Sequence, residues 1–125
     1  MREARWKKWV DSMVSFDVVI SPQAVDQLNN YVDYVQHTLL NHQAARSIWK
    51  DAKDTLIALE TVAGSLPHCS KETLSKLDYR SILFRKHDYI MIYRIDGTTV
   101  YVEAVYHLLE DYENIFAKER LERRR

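Results

Sequence analysis

The sequence predicts an α+β domain: a four-stranded, mostly antiparallel sheet with an N-terminal helical hairpin on one face and a C-terminal helix. Three observations carry that prediction. Val, Ile, Tyr and Phe dominate residues 80–84, 89–95 and 98–107, the composition that suits a pleated, half-buried surface. Before them, two long segments repeat apolar residues at three- and four-residue steps, the period of amphipathic helices. After them, 110–125 is strongly charged, with Tyr112, Ile115, Phe116 and Leu121 as its sizeable apolar side chains, a final helix with a basic end at Arg123, Arg124 and Arg125.

In chain order, residues 1–13 form a basic amphipathic extension, with Trp6, Trp9, Val10 and Met13 at helical spacing among Arg2, Arg5, Lys7 and Lys8. Such a segment can pack on the body of the protein, on a partner, on acidic lipid or on nucleic acid, or can precede a natural start at Met13. Residues 14–125 then read as one domain. Val14 to Ile20 is a first strand. Ser21 and Pro22 supply an N-cap hydroxyl and a proline at the first helical position. Val25, Leu28, Val32, Val35 and Leu39 make one apolar stripe, and Ala45, Ile48, Trp49, Ala52, Leu56 and Leu59 make another after a cap at Asn41. Gly64 suits the position just past that second helix, and 65–78, with Pro67, reads as an irregular connection. Both stripes read as core surfaces, since neither carries a histidine or paired carboxylates.

Asp96 and Gly97 are the pair that a two-residue type I′ hairpin turn needs at positive φ. A turn there sets Ile95 opposite Thr98, and Tyr89, Met91, Tyr93, Val100, Val102, Ala104 and Tyr106 on one uncharged core face. The other face then carries Ile90, Ile92, Arg94, Tyr101, Glu103, Val105 and His107, and is expected to be open or concave. If all of Arg85 to Asp88 form the preceding loop, Arg80 faces the core opposite Tyr93. A bulge would put it beside Ile92 and Arg94, and that arrangement is expected because a buried guanidinium needs a partner.

Composition excludes several classes. A chain of 125 residues fits one domain able to bury roughly two thirds of the surface of its unfolded form. One cysteine, Cys69, excludes an internal disulfide, and with His68 it falls short of a metal-ligand set, so no metal and no cofactor is expected. No apolar run approaches a membrane span and no secretion signal is legible, which makes the cytoplasm the expected location. Eighteen basic and eighteen acidic side chains cancel, so no overall field draws the chain to nucleic acid. A local excess remains in Lys76, Arg80, Arg85, Lys86 and Arg94, which also suits solvated loops and edges.

The order strand, helix, helix, three strands, helix, with FDVVISPQAVDQL, DYIMIYRIDGTTVYVEAVYH and LEDYENIF, resembles the RelE/ParE superfamily of toxins from bacterial type II toxin–antitoxin pairs. The resemblance covers about residues 14–118. It implies a toxin held by a cognate antitoxin, expected to act as a metal-free, ribosome-dependent messenger RNA endonuclease (an mRNA interferase) that inhibits translation, with His107 as acid; the alternative, as in ParE-like members, is a non-enzymatic inhibitor of DNA gyrase. An inactive member that only binds its antitoxin is the third form. For the endonuclease, RNA cleavage by a 2′-hydroxyl is implied, with His107 resembling a terminal-strand histidine that acts as general acid, and Arg80 a cation that braces phosphate. Tyr112 matches a tyrosine near the start of the last helix, and Arg85, Lys86 and Arg94 are the further cations expected on substrate. Glu103 is a base or orienting group on the grounds of its expected face alone, and a cross-strand partner of Arg94 on the ordinary reading. Ile90 stands where many members carry arginine, and Leu108 and Leu109 where cleaving members carry arginine or tyrosine.

Overall fold

The computed structural model describes residues 15–123, with side chains to residue 120. The extension at 1–13, the start of the first strand at Val14, the contact of Leu121 and the basic end at Arg124 and Arg125 lie outside the described residues. Strands β1 (Asp17–Ile20), β2 (Arg80–Leu83), β3 (Tyr89–Asp96) and β4 (Thr99–His107) form one sheet in the order β1-β4-β3-β2. β1 runs parallel to β4, and the other two pairings are antiparallel. Helices α1 (Pro22–Asp33) and α2 (His42–Val62) form the hairpin, α3 (Glu72–Lys76) is a short turn of helix, and α4 (Tyr112–Arg123) closes the chain.

Local chemistry explains the helix starts. Ser21 Oγ accepts the amide of Ala24 at 3.1 Å with Pro22 just inside α1, and Asn41 Oδ1 accepts the amide of Ala44 at 3.0 Å. Where β1 ends, α1 takes over as the edge partner of β4. Ser21 Oγ donates to the Glu103 carbonyl at 3.1 Å, Gln27 Oε1 accepts the Val105 amide at 2.9 Å, and Tyr31 Oη accepts the His107 amide at 3.3 Å. These bonds hold α1 across the sheet end that carries His107.

Several expected details differ. Leu39 is 56% exposed because α1 runs into a wider π-turn at Tyr34–Thr38 that rotates it out of the stripe. Trp49 lies on the solvent side of α2, while Asp51 and Thr55 are buried in its stripe. Gly64 is not a left-handed cap: α2 tightens through a 3-10 turn at Ala63–Ser65. The connection at 65–78 contains α3, and His68 bridges to Arg80.

The hairpin turn lies one residue later than expected. Asp96 pairs with Thr99, so Gly97 and Thr98 are the central residues, and Gly97 alone takes the positive φ, at 62°. A glycine at the first central position belongs to a type II′ turn, whose twist also suits a hairpin. A second change follows: Ile92 pairs with Ala104 and Tyr93 with Val102, leaving Glu103 as an extra residue in β4. From there β4 reverses its faces. Val105 joins Met91, Tyr93, Val100 and Val102 under the hairpin, while Ala104 and Tyr106 join Ile90 and Ile92 on the other side. That side is therefore apolar and is not open. It packs with Tyr79, Leu74 and Phe116 as a second core beneath α3 and α4.

Candidate functional site

His107 ends β4 opposite Tyr89, on the hairpin side of the sheet, which the bulge at Glu103 dictates. Its ring meets Tyr89 edge-on at 5.1 Å, and Tyr31 packs on the same tyrosine at 5.1 Å. Glu110 Oε1 accepts the His107 amide at 3.0 Å and the Tyr31 hydroxyl proton. Burial and then the Glu110 carboxylate push the Tyr31 phenol well above its ordinary value, so it stays a hydrogen-bond donor across the physiological range. The His107 ring is committed as well. Nδ1 accepts the Leu109 amide at 3.1 Å, which puts the proton of the neutral ring on Nε2. An imidazolium would carry protons on both nitrogens and would have to release Leu109.

Glu103 lies on the opposite side of the sheet from His107. Its carboxylate, with 11% of the side chain exposed, accepts Arg94 Nε at 2.6 Å and the Tyr79 hydroxyl at 3.2 Å, with Arg120 Nη1 at 3.7 Å. Burial, with Glu103 second, pushes the Tyr79 phenol up to about 12. Arg94 also stacks on the Tyr101 ring at 4.4 Å. The cluster pins α4 to the sheet, and both expected site residues, Glu103 and Arg94, are spent on it.

Arg80 pairs with Tyr93, as a full four-residue loop from Arg85 to Asp88 requires. The bulged arrangement expected for it does not occur. Its guanidinium lies on the hairpin side and donates through Nη1 to the Leu66 carbonyl, just past the C-terminal end of α2, where a cation is favoured. Tyr93 beside it donates to the Ala63 carbonyl at 2.7 Å. Arg80 is four residues along the sheet from the Tyr89–His107 pair, about 13 Å at the usual strand rise.

Arg85 and Lys86 are exposed on the β2–β3 loop. Their backbone is fixed by Asp51, which accepts the amides of Arg85 at 3.2 Å, Lys86 at 2.9 Å and His87 at 2.9 Å, and His87 Nδ1 at 2.8 Å. Burial alone would raise the Asp51 carboxyl, but the His87 ring and these amides outweigh it and hold the group below the ordinary carboxylate value. The same loop meets the His107 end of the sheet, because the Asp88 carbonyl accepts the Leu108 amide at 2.9 Å. Tyr112 is away from this end, in a groove of about 470 Å³ with Leu66, Pro67, Ser81 and Leu83 beside β2.

The structure thus brings His107 to the same end as Arg85 and Lys86, and separates all three from Arg80, Glu103, Arg94 and Tyr112. Tyr31, Glu110 and Asp51 were missed in the sequence. Asp51 had a signal: three residues after Ile48 and four before Thr55, it is in phase with the buried stripe of α2. Tyr31 and Glu110 had none, being 79 positions apart. Among the described residues no three His, Cys, Asp or Glu side chains gather as a metal site, and no helix is long and apolar enough to cross a membrane.

Residues 18–112 match the family model described as the ParE toxin of the type II toxin–antitoxin system parDE. Among solved structures, a chain of a chromosomal ParDE TA system from P. aeruginosa is similar, with a TM-score of 0.63 and 14% identity over 75% of this chain and 97% of that one. At that identity the likeness is one of fold. No curated protein matches the chain.

Proposed function

This chain belongs to the ParE toxin family of type II toxin–antitoxin systems, and from that premise we propose that it arrests cells by binding a protein target, as a non-enzymatic inhibitor of DNA gyrase. One observation carries the choice. The groups that metal-free RNA cleavage would need are dispersed: Glu103 is held by Arg94 and Arg120, Arg80 is held at the end of α2, and Nδ1 of His107 is held by Leu109. A histidine acting as general acid passes from imidazolium to neutral imidazole within reach of the leaving oxygen, with cations set around the phosphate. Here protonation of His107 breaks a backbone bond, and the cations of its own end are on exposed side chains at the loop surface.

Membership in a type II system supplies an antitoxin as the partner. A ribosome-dependent endonuclease is the second reading, favoured by Arg85 and Lys86 lying at the His107 end, with Nε2 of His107 available as a donor. Induced expression separates the two. The binding reading expects growth arrest that His107→Ala leaves undiminished, with no new cuts in messenger RNA by primer extension. Cuts inside codons that vanish in His107→Ala would establish the endonuclease instead.

A further inference from the structure

Along the outer side of α2, Arg46, Trp49, Lys50, Lys53, Asp54 and Ile57 line a furrow of about 530 Å³. All of them belong to α2, so the furrow has no second wall and suits a broad surface rather than an enclosed small molecule. Steps of three and four residues keep these side chains on one side of the helix, where two apolar groups are interleaved with three cations. Trp49 is 39% exposed and Ile57 59% exposed. Asp54, the one carboxylate in the furrow, pairs with Lys50 at 3.1 Å. Among the described residues neither Arg46 nor Lys53 has an acidic partner.

A second strip of the same chemistry is attached beside it. Residues 1–13, outside the described residues, carry Trp6, Trp9, Val10 and Met13 at helical spacing, with Arg2, Arg5, Lys7 and Lys8 against Glu3 and Asp11. The chain emerges from that segment next to the furrow: the Phe16 amide donates to the Glu60 carbonyl at 2.8 Å, and Glu60 is one helical turn past Ile57 on α2. Both strips combine indole, aliphatic and basic side chains, and in both the cations outnumber the carboxylates. Like charge disfavours the segment as the cover of the furrow and suits the two strips to one anionic surface.

We propose that residues 1–13 and the outer side of α2 together bind an anionic phospholipid surface, with the indoles and Ile57 at headgroup depth and the Lys and Arg side chains among the lipid phosphates. The inference is independent of both the antitoxin and the target. Indole beside lysine and arginine is the composition that lies in a membrane interface, the ring at the apolar boundary and the cation in the headgroups. One short basic strip holds a bilayer only marginally, and two strips tethered side by side reinforce each other. A bilayer requires no register between them, whereas a protein partner would have to match a helix and a separate segment at once. A phosphate backbone would meet the cations but offer Val10, Met13 and Ile57 nothing apolar to enter, and zero net charge supplies no overall field toward it. Among the described residues no helix is long and apolar enough to cross a membrane, so the proposed contact is with its surface.

The test is flotation of the full chain with vesicles of phosphatidylcholine alone and of phosphatidylcholine with about one third phosphatidylserine. Retention on the anionic vesicles only, falling as salt rises, is the expected result. Lys50→Glu with Lys53→Glu should lower the partition coefficient by about tenfold or more. Lys76→Glu with Lys118→Glu, the same charge change on the side of the sheet that carries α3 and α4, should leave it within about twofold at physiological salt, where the Debye length is about 8 Å. With Trp6→Phe and Trp9→Phe the chain keeps Trp49 as its sole indole, and that emission should move to shorter wavelength on the anionic vesicles. No retention, equal retention on both kinds of vesicle, equal weakening by both charge variants, or unchanged Trp49 emission overturns the proposal. So does Trp49 emission that moves to longer wavelength in vesicle-free protein when residues 1–12 are removed, which would make the segment the cover of the furrow. Binding to a duplex oligonucleotide that is lost in the Lys50/Lys53 variant, with vesicle retention intact, overturns it too and would assign the furrow to nucleic acid.

Discussion

Asp51 shows how one side chain fixes the backbone of a whole loop. A buried carboxylate is costly unless its oxygens are fully engaged, and here three amides and one imidazole engage them. Asp51→Ala leaves those amides without an acceptor and should cost about 3 kcal/mol, measured by urea unfolding at neutral pH. Asp51→Asn keeps one acceptor oxygen and loses the charge, for about 2 kcal/mol. The pH dependence follows from the direction of the shift. The native group is depressed, so its contribution is fully present above the unfolded value of about 3.9 and is lost as pH falls through the lower native value. The stability gap between the parent and Asp51→Asn should therefore narrow as pH falls below about 4; a gap unchanged at pH 3 would contradict the assignment. Arg80 and His107 carry the contrasting lesson. Their residue types were legible as phosphate and proton chemistry, but the Leu66 carbonyl and Leu109 amide that occupy them could be known only after folding.

At the scale of elements, the strands were legible because β-branched and aromatic residues cluster in runs of strand length, and the helices because their apolar residues repeat at helical steps. The register was not. Alternation has a period of two, so the one extra residue at Glu103 reverses every face after it, and no local composition announces a bulge. That reversal put His107 under the hairpin and filled the presumed open face with Ala104 and Tyr106. Deleting Glu103 removes the extra residue, leaves Val102 and Ala104 opposite Tyr93 and Ile92 in an unbroken ladder with their faces unchanged, and takes the carboxylate from Arg94, Tyr79 and Arg120, so a cooperative melt at a lower temperature is expected in circular dichroism. Loss of cooperative unfolding would show that the bulge itself is required. In the β3–β4 turn, Gly97→Ala meets no atom within 4 Å but must take a φ of 62°, which should cost about 1 kcal/mol and lower the melting temperature by a few degrees. The opposite outcome, no change, would mean that the turn relaxes to another type.

The whole molecule has two cores on one sheet, and this decides which surfaces are left for partners. The hairpin covers one face, α3 and α4 cover the other, and the second core depends on Phe116 meeting Tyr79 edge-on at 5.0 Å. Phe116→Ala should destabilise the protein by about 3 kcal/mol, read in denaturant, because the cavity opens between packed elements. With both faces covered, the surfaces left open include the outer side of α2, the β2–β3 loop, the His107 end and the groove beside β2. Family and fold were legible in the order of elements and in the long hairpin core from Asp88 to His107. The target was not, because neutral net charge and dispersed cations select neither a nucleic acid nor a protein surface.

The most direct measurement of the central claim is DNA supercoiling by purified gyrase on relaxed plasmid, with the parent protein and His107→Ala added over a range of concentrations. Inhibition that saturates with the parent and is matched by His107→Ala is the predicted result, since binding requires no proton transfer from that ring. Full gyrase activity at saturating protein, together with codon-internal cuts in ribosome-bound messenger RNA that require His107, would contradict it.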